Sequence, residues 1–366
     1  MIKLLLVDDS PLMRRLLADI FAEAGDFDIE IARDGVEAIE KLQSFGPDVI
    51  TLDIHMPGMD GLACLDQIML LRPVPVVMVS SLTAEGADET LEAMALGAVD
   101  FIPKPRGAVS LEIDAVADAL VDKVRAAADA RISPTTRLRD RVRARASGAI
   151  PAQSDRMRAP ASPSPRRAEI QPLPGDGLVV LVGCSTGGPP ALDSLLGSLP
   201  SDFPWPIVIA QHMPASFTGP LARRLDRLCA LAVREVDRTM PLEPGGVYIG
   251  RGDADLVLSR RGRDIVAMPA PSSNDYFWHP SVDRLVDSAL KYIAPEQLVG
   301  VLMTGMGADG ATAMTLLKKR GGHTIAEAAS TAVVWGMPGA LVGKDGASSI
   351  RPLEEISGEL LKLAGR

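Results

Sequence analysis

The chain has 366 residues, 47% apolar and 23% charged, with a formal net charge of −9. That length exceeds one ordinary core, so two domains are expected, and the composition is that of a globular protein. The charge argues against a general nucleic-acid binder, the absence of any apolar run of about 18 residues excludes a membrane-spanning helix, and Cys64, Cys184 and Cys229 show neither metal-binding spacing nor a disulfide framework.

The apolar start is interrupted at Asp8 and Asp9 and has no small-residue cleavage site, so no secretory signal is read and a cytoplasmic protein is expected. Strands are predicted over residues 2–7, 28–32, 48–52, 74–79 and 99–102. Helices alternate with them over 11–24, 36–45, 62–71, 83–96 and 111–127, with Ser10 as the first N-cap. This alternation implies a parallel sheet covered on both faces. All its carboxyl ends then lie on one edge, which gathers Asp8, Asp9, Asp53, Ser80 and Lys104. Clustered carboxylates are costly without a cation, and hard oxygen ligands suit Mg²⁺, while the lysine suits a phosphoryl group. His55, beside this edge, reads as a solvated loop residue.

The motifs Val7-Asp8-Asp9-Ser10, Leu52-Asp53-Ile54-His55-Met56-Pro57-Gly58, Val79-Ser80-Ser81 and Pro103-Lys104-Pro105 resemble the receiver domain of two-component response regulators. The resemblance implies a flavodoxin-like fold over residues 1–128. It further implies that Asp53 accepts the phosphoryl group, and that Asp8 and Asp9 hold Mg²⁺ with it. Ser80, Phe101 and Lys104 would form the switch set, and the phosphodonor would be a chemotaxis-type histidine kinase.

Residues 129–176 change character. Between 131 and 168 there are ten Arg, two Asp and no Glu, set among Pro, Ser and Ala. Such a stretch cannot build a core and reads as a linker. A nucleic-acid tail is the alternative, but no aromatic residues interleave to stack bases.

From 177 a second α/β pattern begins. An apolar run, 178–182, leads into Gly183-Cys184-Ser185-Thr186-Gly187-Gly188, and Pro189 and Pro190 suit the start of a helix. Gly183 to Gly187 fit the G-x-S-x-G pattern. A serine nucleophile, a phosphate-binding loop and a plain glycine-rich turn all fit that stretch. Strands are expected at 207–210, 246–249, 254–258, 298–303 and 323–326, and helices at 217–228, 281–292 and 311–320. No helix-turn-helix stands out. Strand ends then carry Ser185, His212 and Asp309, a nucleophile, a base and an acid to orient the base. The order Ser…His…Asp is not that of α/β-hydrolases, and His279 is a rival base, with His323 a weaker one.

Cys184-Ser185-Thr186-Gly187-Gly188, Gln211-His212-Met213-Pro214, His279-Pro280-Ser281-Val282-Asp283, Thr304-Gly305-Met306-Gly307-Ala308-Asp309-Gly310 and Trp335-Gly336-Met337-Pro338 resemble the catalytic domain of the chemotaxis protein-glutamate methylesterase (CheB) family. The resemblance implies a doubly wound, mainly parallel α/β catalytic domain over 177–366. It implies catalysis by Ser185, His212 and Asp309, with oxyanion or support roles at Thr186 and Met306 and no cofactor at that site. The implied substrates are methyl-accepting chemotaxis receptors, whose glutamate methyl esters would be hydrolysed and glutamines deamidated. An unphosphorylated receiver is expected to cover the catalytic mouth. The family commonly has Asn where Ala308 stands and His-Arg-Pro where Trp278-His279-Pro280 stand.

Overall fold

A computed structural model of the chain describes residues 1–81, 83–104, 111–131 and 177–365. The expected linker from 132 to 176, and Pro105 of the receiver-like motif, lie outside the described residues. The first unit runs β1 (Ile2–Val7), α1 (Pro11–Ala24), β2 (Phe27–Ala32), α2 (Gly35–Ser44), β3 (Val49–Asp53), α3 (Gly61–Leu71), β4 (Val76–Ser80), α4 (Ala84–Leu96), β5 (Asp100–Pro103) and α5 (Leu111–Ala128). Its parallel sheet has the order β2-β1-β3-β4-β5, the flavodoxin-like arrangement. Local chemistry sets the helix starts. Asp34, Asp60 and Thr83 side chains accept amide protons from Glu37, Ala63 and Gly86 at 2.9, 2.8 and 3.1 Å. Each satisfies a helix N–H that would otherwise lack a partner. Every residue of β3 and β4 is buried, as expected for strands covered on both faces.

The second unit runs β6 (Val179–Cys184), α6 (Gly188–Gly197), β7 (Ile207–Gln211), α7 (Ala215–Leu228), β8 (Ala232–Val236), β9 (Met240–Pro241), β10 (Gly246–Gly250), β11 (Asp255–Arg261), β12 (Asp264–Ala270), α8 (Val282–Ala289), β13 (Leu298–Leu302), α9 (Ala311–Lys319), β14 (His323–Glu327), α10 (Met337–Gly343), β15 (Ser349–Arg351) and α11 (Leu353–Leu363). Its larger sheet is parallel, in the order β15-β14-β13-β6-β7-β10-β8. The chain leaves β6 first on the β7 side and later returns on the β13 side. The topological switch point therefore falls at β6, where open α/β sheets bind ligands. The helix expected over 281–292 ends sooner, at Ala289.

The strand expected at 254–258 is β11, but its partners β12 and β9, which complete a small antiparallel sheet β11-β12-β9, were missed. Its hairpin turns at Gly262, whose φ of +64° is a left-handed conformation that favours glycine. Also missed were β8, β15, α10 and α11.

The two units share one apolar core. Ile68, Leu91, Met94 and Phe101 of the first unit belong to the same buried cluster as Leu192, Phe217 and Leu221 of the second. Helix α4 packs against α6 and α7. No described helix is long and apolar enough to cross a membrane.

Candidate active site

Ser185 is the first residue after β6, and it is held from three sides. Its N–H donates to the Thr304 carbonyl at 2.9 Å. Its own carbonyl accepts from the Gly188 amide at 2.7 Å and from Gln211 Nε2 at 3.0 Å. The turn into α6 is made at Gly187, with φ of +76°. Thr304 is a hub: its hydroxyl donates to the Thr186 carbonyl at 2.9 Å, and its amide donates to Glu327 Oε2 at 2.8 Å. Glu327 is fully buried at the end of β14. Burial pushes its carboxyl up to about 7, against hydrogen bonds from Thr304 and Thr331 that pull the other way.

His212 follows β7, the strand paired directly with β6. Its amide donates to the Cys184 carbonyl at 3.1 Å, which ties the two strand ends together. Its Nε2 lies 2.8 Å from Asp309 Oδ2. Asp309 sits on the loop between β13 and α9. It accepts from the Ser281 hydroxyl (3.0 Å) and from the amides of Val282 (2.7 Å) and Asp283 (3.0 Å), at the start of α8. Burial would raise the Asp309 carboxyl, but the hydrogen bond and charge of His212 and the two amides outweigh it. Its pKa lies below the ordinary carboxylate value. An ionised Asp309 accepts the Nε2 proton, which leaves the lone pair on Nδ1. That Nδ1 is buried and has no hydrogen-bond partner among the described residues. In the reference serine-protease triad the acid holds Nδ1 and the base is Nε2; here the imidazole is turned the other way.

The structure therefore brings Ser185, His212 and Asp309 to one edge of three adjacent strands. The rival His279 is turned to Asp255, with Nδ1 3.1 Å from Oδ1. His323 starts β14, at the opposite edge of the sheet. Gly305, the residue before Met306, runs close to the serine: an added Cβ there would lie 2.8 Å from Ser185 Cβ. Thr186, next to Ser185, turns its hydroxyl to the first unit. Its hydroxyl donates to Asp100 Oδ2 of β5 at 2.5 Å. The next amide, of Gly187, donates to the Val99 carbonyl at 3.1 Å. The first unit is thus seated on the two residues after Ser185, and Ser185 itself is 7% exposed. Cys184 is buried, donates to Gln211 Oε1 at 3.0 Å, and its thiol is pushed up by burial.

Two contacts at this site escaped sequence reasoning. The Trp278 ring stacks on His212, with centroids 4.9 Å apart and planes 12° apart. Phe101 of β5 packs against Phe217 of α7 at 4.3 Å. The departure of Trp278 from the family pattern was the one signal for the first. Phe217 carried none beyond its place on an apolar helix face.

The first unit gathers its own polar edge. Ligand oxygens of Asp8, Asp9 and Asp53 lie within 4.8 Å of one another. Lys104 Nζ is 2.7 Å from Asp53 Oδ2 and 3.3 Å from Asp8 Oδ2. Burial and the charge of Asp53 raise the Asp8 carboxyl. Burial alone would lower the Lys104 ammonium, but Asp53 and Asp8 outweigh it and raise its pKa. One lysine for three convergent carboxylates leaves net negative charge, which fits a divalent cation held by oxygen donors. Ser80 is buried and accepts from the Thr90 hydroxyl at 2.7 Å. His55 is exposed, as its loop position suggested.

The CheB methylesterase family matches residues 180–360, and the response regulator receiver domain family matches residues 4–114. Protein-glutamate methylesterase/protein-glutamine glutaminase 2 of Rhodopseudomonas palustris is 56% identical over 363 residues, 99% of this chain and 98% of the relative. Protein-glutamate methylesterase/protein-glutamine glutaminase 3 of Rhodospirillum rubrum is 52% identical over 364 residues, 98% of this chain and 95% of the relative. The crystal structure of the Thermotoga maritima CheB methylesterase catalytic domain is 37% identical with a TM-score of 0.50, covering 51% of this chain and 98% of that one. Similarity at this level across the full length means that the chain belongs to the CheB protein-glutamate methylesterase/protein-glutamine glutaminase family, with a response regulator receiver domain ahead of its methylesterase domain.

Proposed function

We propose that the chain is a phosphorylation-activated hydrolase that removes methyl esters from glutamate side chains of chemoreceptors and deamidates receptor glutamines. Residues 1–128 serve as receiver, 129–176 as linker and 177–366 as catalytic domain, in the cytoplasm. The observation that carries the reading is the 2.8 Å contact of His212 with Asp309, which leaves a buried Nδ1 lone pair beside a strand end that bears Ser185.

Ser185 Oγ attacks the ester carbonyl as His212 Nδ1 takes its proton. Asp309 supports the imidazolium through Nε2. The backbone amide at Met306 stabilises the oxyanion. The tetrahedral adduct collapses, the imidazolium returns its proton to the leaving methoxide oxygen, and methanol departs. Water, deprotonated by the same Nδ1, then releases glutamate from Ser185. With a glutamine substrate the leaving group is ammonia, and the rest is unchanged.

The receiver regulates through the contacts it makes beside Ser185. A chemotaxis histidine kinase donates a phosphoryl group to Asp53. Asp8, Asp9 and Asp53 would hold Mg²⁺, which neutralises phosphoryl charge when bound. Ser80 leaves Thr90 for the phosphoryl oxygen, and Lys104 pairs with it. Phe101 shifts on Phe217, and the Asp100–Thr186 and Val99–Gly187 hydrogen bonds break. That frees the Thr186 hydroxyl for the substrate side.

The test is methanol release from methylated receptor membranes, with and without a small phosphodonor and Mg²⁺. The reading requires release that disappears in Ser185→Ala and that rises with phosphodonor only while Asp53 is present. Release indifferent to phosphodonor would retain the esterase and remove the switch; no release would remove both.

A further inference from the structure

The loop before α8 is pinned unusually firmly for an exposed segment. Asp255 is fully buried and collects His279 Nδ1, the Ser281 amide and the Arg284 guanidinium. Arg284 also donates to the Pro271 carbonyl at 2.7 Å. Ser281, at the loop's end, donates its hydroxyl to Asp309, the same acid that holds His212 Nε2. Trp278 lies between these anchors, so its indole is carried on a rigid arm. That arm lays the indole parallel to the His212 imidazole at 4.9 Å. Phe277, 81% exposed, meets Trp278 edge-on with centroids 4.9 Å apart. The result is a ladder of rings that runs from the buried imidazole to solvent.

We propose that Trp278 is a positioning residue for the esterase reaction, acting through His212 by fixing the plane of the imidazole. The inference rests on the esterase reading above. Asp309 constrains the imidazole at one atom, Nε2. A ring held at one atom can still swing about that hydrogen bond, and Nδ1 has no hydrogen-bond partner among the described residues to stop it. A flat aromatic surface supplies the missing restraint, since stacked rings resist tilting. It also covers one face of the ring against water. Phe277 braces the outer side of Trp278.

The experiment uses the full chain. Trp278→Leu keeps apolar bulk and loses the ring; Trp278→Phe keeps a ring. 4-Nitrophenyl acetate is the substrate, because a small ester needs no receptor docking. A fluorophosphonate probe measures Ser185 nucleophilicity independently. Trp278→Leu should lower kcat and the labelling rate by about threefold to tenfold with KM unchanged, the factor an aromatic stack carries. Trp278→Phe should stay within about twofold of wild type on the same scale. In wild-type protein, nuclear Overhauser contacts should connect the indole protons with the His212 ring protons, a readout that needs no variant to fold. The proposal is overturned by wild-type kcat in Trp278→Leu, by a loss confined to KM, by Trp278→Phe failing as badly as Trp278→Leu, or by absence of the ring–ring contacts. Inactivity of the wild-type protein toward both ester and probe would instead overturn the esterase reading itself.

Discussion

Removing the Asp100 carboxylate should release the receiver from the catalytic site. Asp100 Oδ2 accepts the Thr186 hydroxyl at 2.5 Å, one residue from Ser185. Its Oδ1 takes the Phe101 amide at 2.7 Å and Lys123 Nζ at 3.2 Å. The carboxylate is 5% exposed, so water competes little for it. A hydrogen bond to a charged group contributes about 1.5–3 kcal/mol. Asp100→Ala should therefore shift the ratio of closed to open protein by about tenfold to a hundredfold, at 1.36 kcal/mol per tenfold. The other seam contacts remain: Phe101 on Phe217, the Gly187 amide on Val99, and Arg224 on the Leu91 carbonyl at 2.9 Å. The opening is thus partial. The assay is methanol release from methylated receptor membranes without phosphodonor. The basal rate should rise by about tenfold or up to the fully open rate, whichever is reached first, and the stimulation by phosphodonor should shrink by the same factor. Phosphorylation of Asp53 in the variant, read by mass, checks that the receiver still folds. An unchanged basal rate together with unchanged stimulation would refute the claim that this hydrogen bond restrains the enzyme.

Asp309→Asn should lower kcat on the small ester by on the order of 10³- to 10⁴-fold, the scale seen when the acid of a triad is replaced by its amide; a loss below about tenfold would show that the acid does not orient the base. Glu327 supplies a pH test. Its carboxyl is held at about 7 by burial, against an ordinary 4.5. Between those values the folded state binds a proton that the unfolded state has released, so this group's contribution to stability falls as pH rises from 4.5 to 7. At 1.36 kcal/mol for each pH unit of that gap, the loss is about 3 kcal/mol. Glu327→Gln keeps an acceptor for the Thr304 amide without the charge, so its melting temperature should gain on wild type as pH goes from 5 to 7.5 (about 4.5 and 7 being the two carboxyl values). An equal difference at both pH values would show that Glu327 does not titrate in the fold.

Much of the architecture was legible because parallel strands advertise themselves. Fully apolar runs such as β6, β7 and β13 end in polar residues, and topology then delivers those ends to one edge. Ser185, His212 and Asp309 could be singled out for that reason, as could Asp8, Asp53 and Lys104. Only the first strand of the antiparallel β11–β12 hairpin was legible, since Arg260, Arg261 and Arg263 around its turn break the apolar signal. Helix α11 has buried Ile356 and Leu360 at helical spacing and could have been found from them. What lay beyond sequence reasoning is the set of contacts between distant loops. Trp278 meets His212 from 66 positions away in the numbering, and Asp100 meets Thr186 from 86 away. Nothing local distinguishes Asp100 from any acid at a strand start. The orientation of the imidazole was likewise illegible, because it depends on which ring nitrogen Asp309 reaches.

Phe101 packs on Phe217 while its neighbour Asp100 holds Thr186; under the proposed function, phosphorylation of Asp53 and attack by Ser185 would therefore draw on one conformational equilibrium. Coupling of that kind is reciprocal. Whatever factor a phosphoryl group lends to substrate binding, a bound substrate must lend to the phosphorylated receiver. Under the proposed function the receptor would then be an effector as well as a substrate. A membrane dense in esterified sites would favour the phosphorylated receiver, and one stripped of them would let it relax. The enzyme would sense the supply of its own work through the seam that joins Phe101 to Phe217, Asp100 to Thr186, Val99 to Gly187 and Leu91 to Arg224.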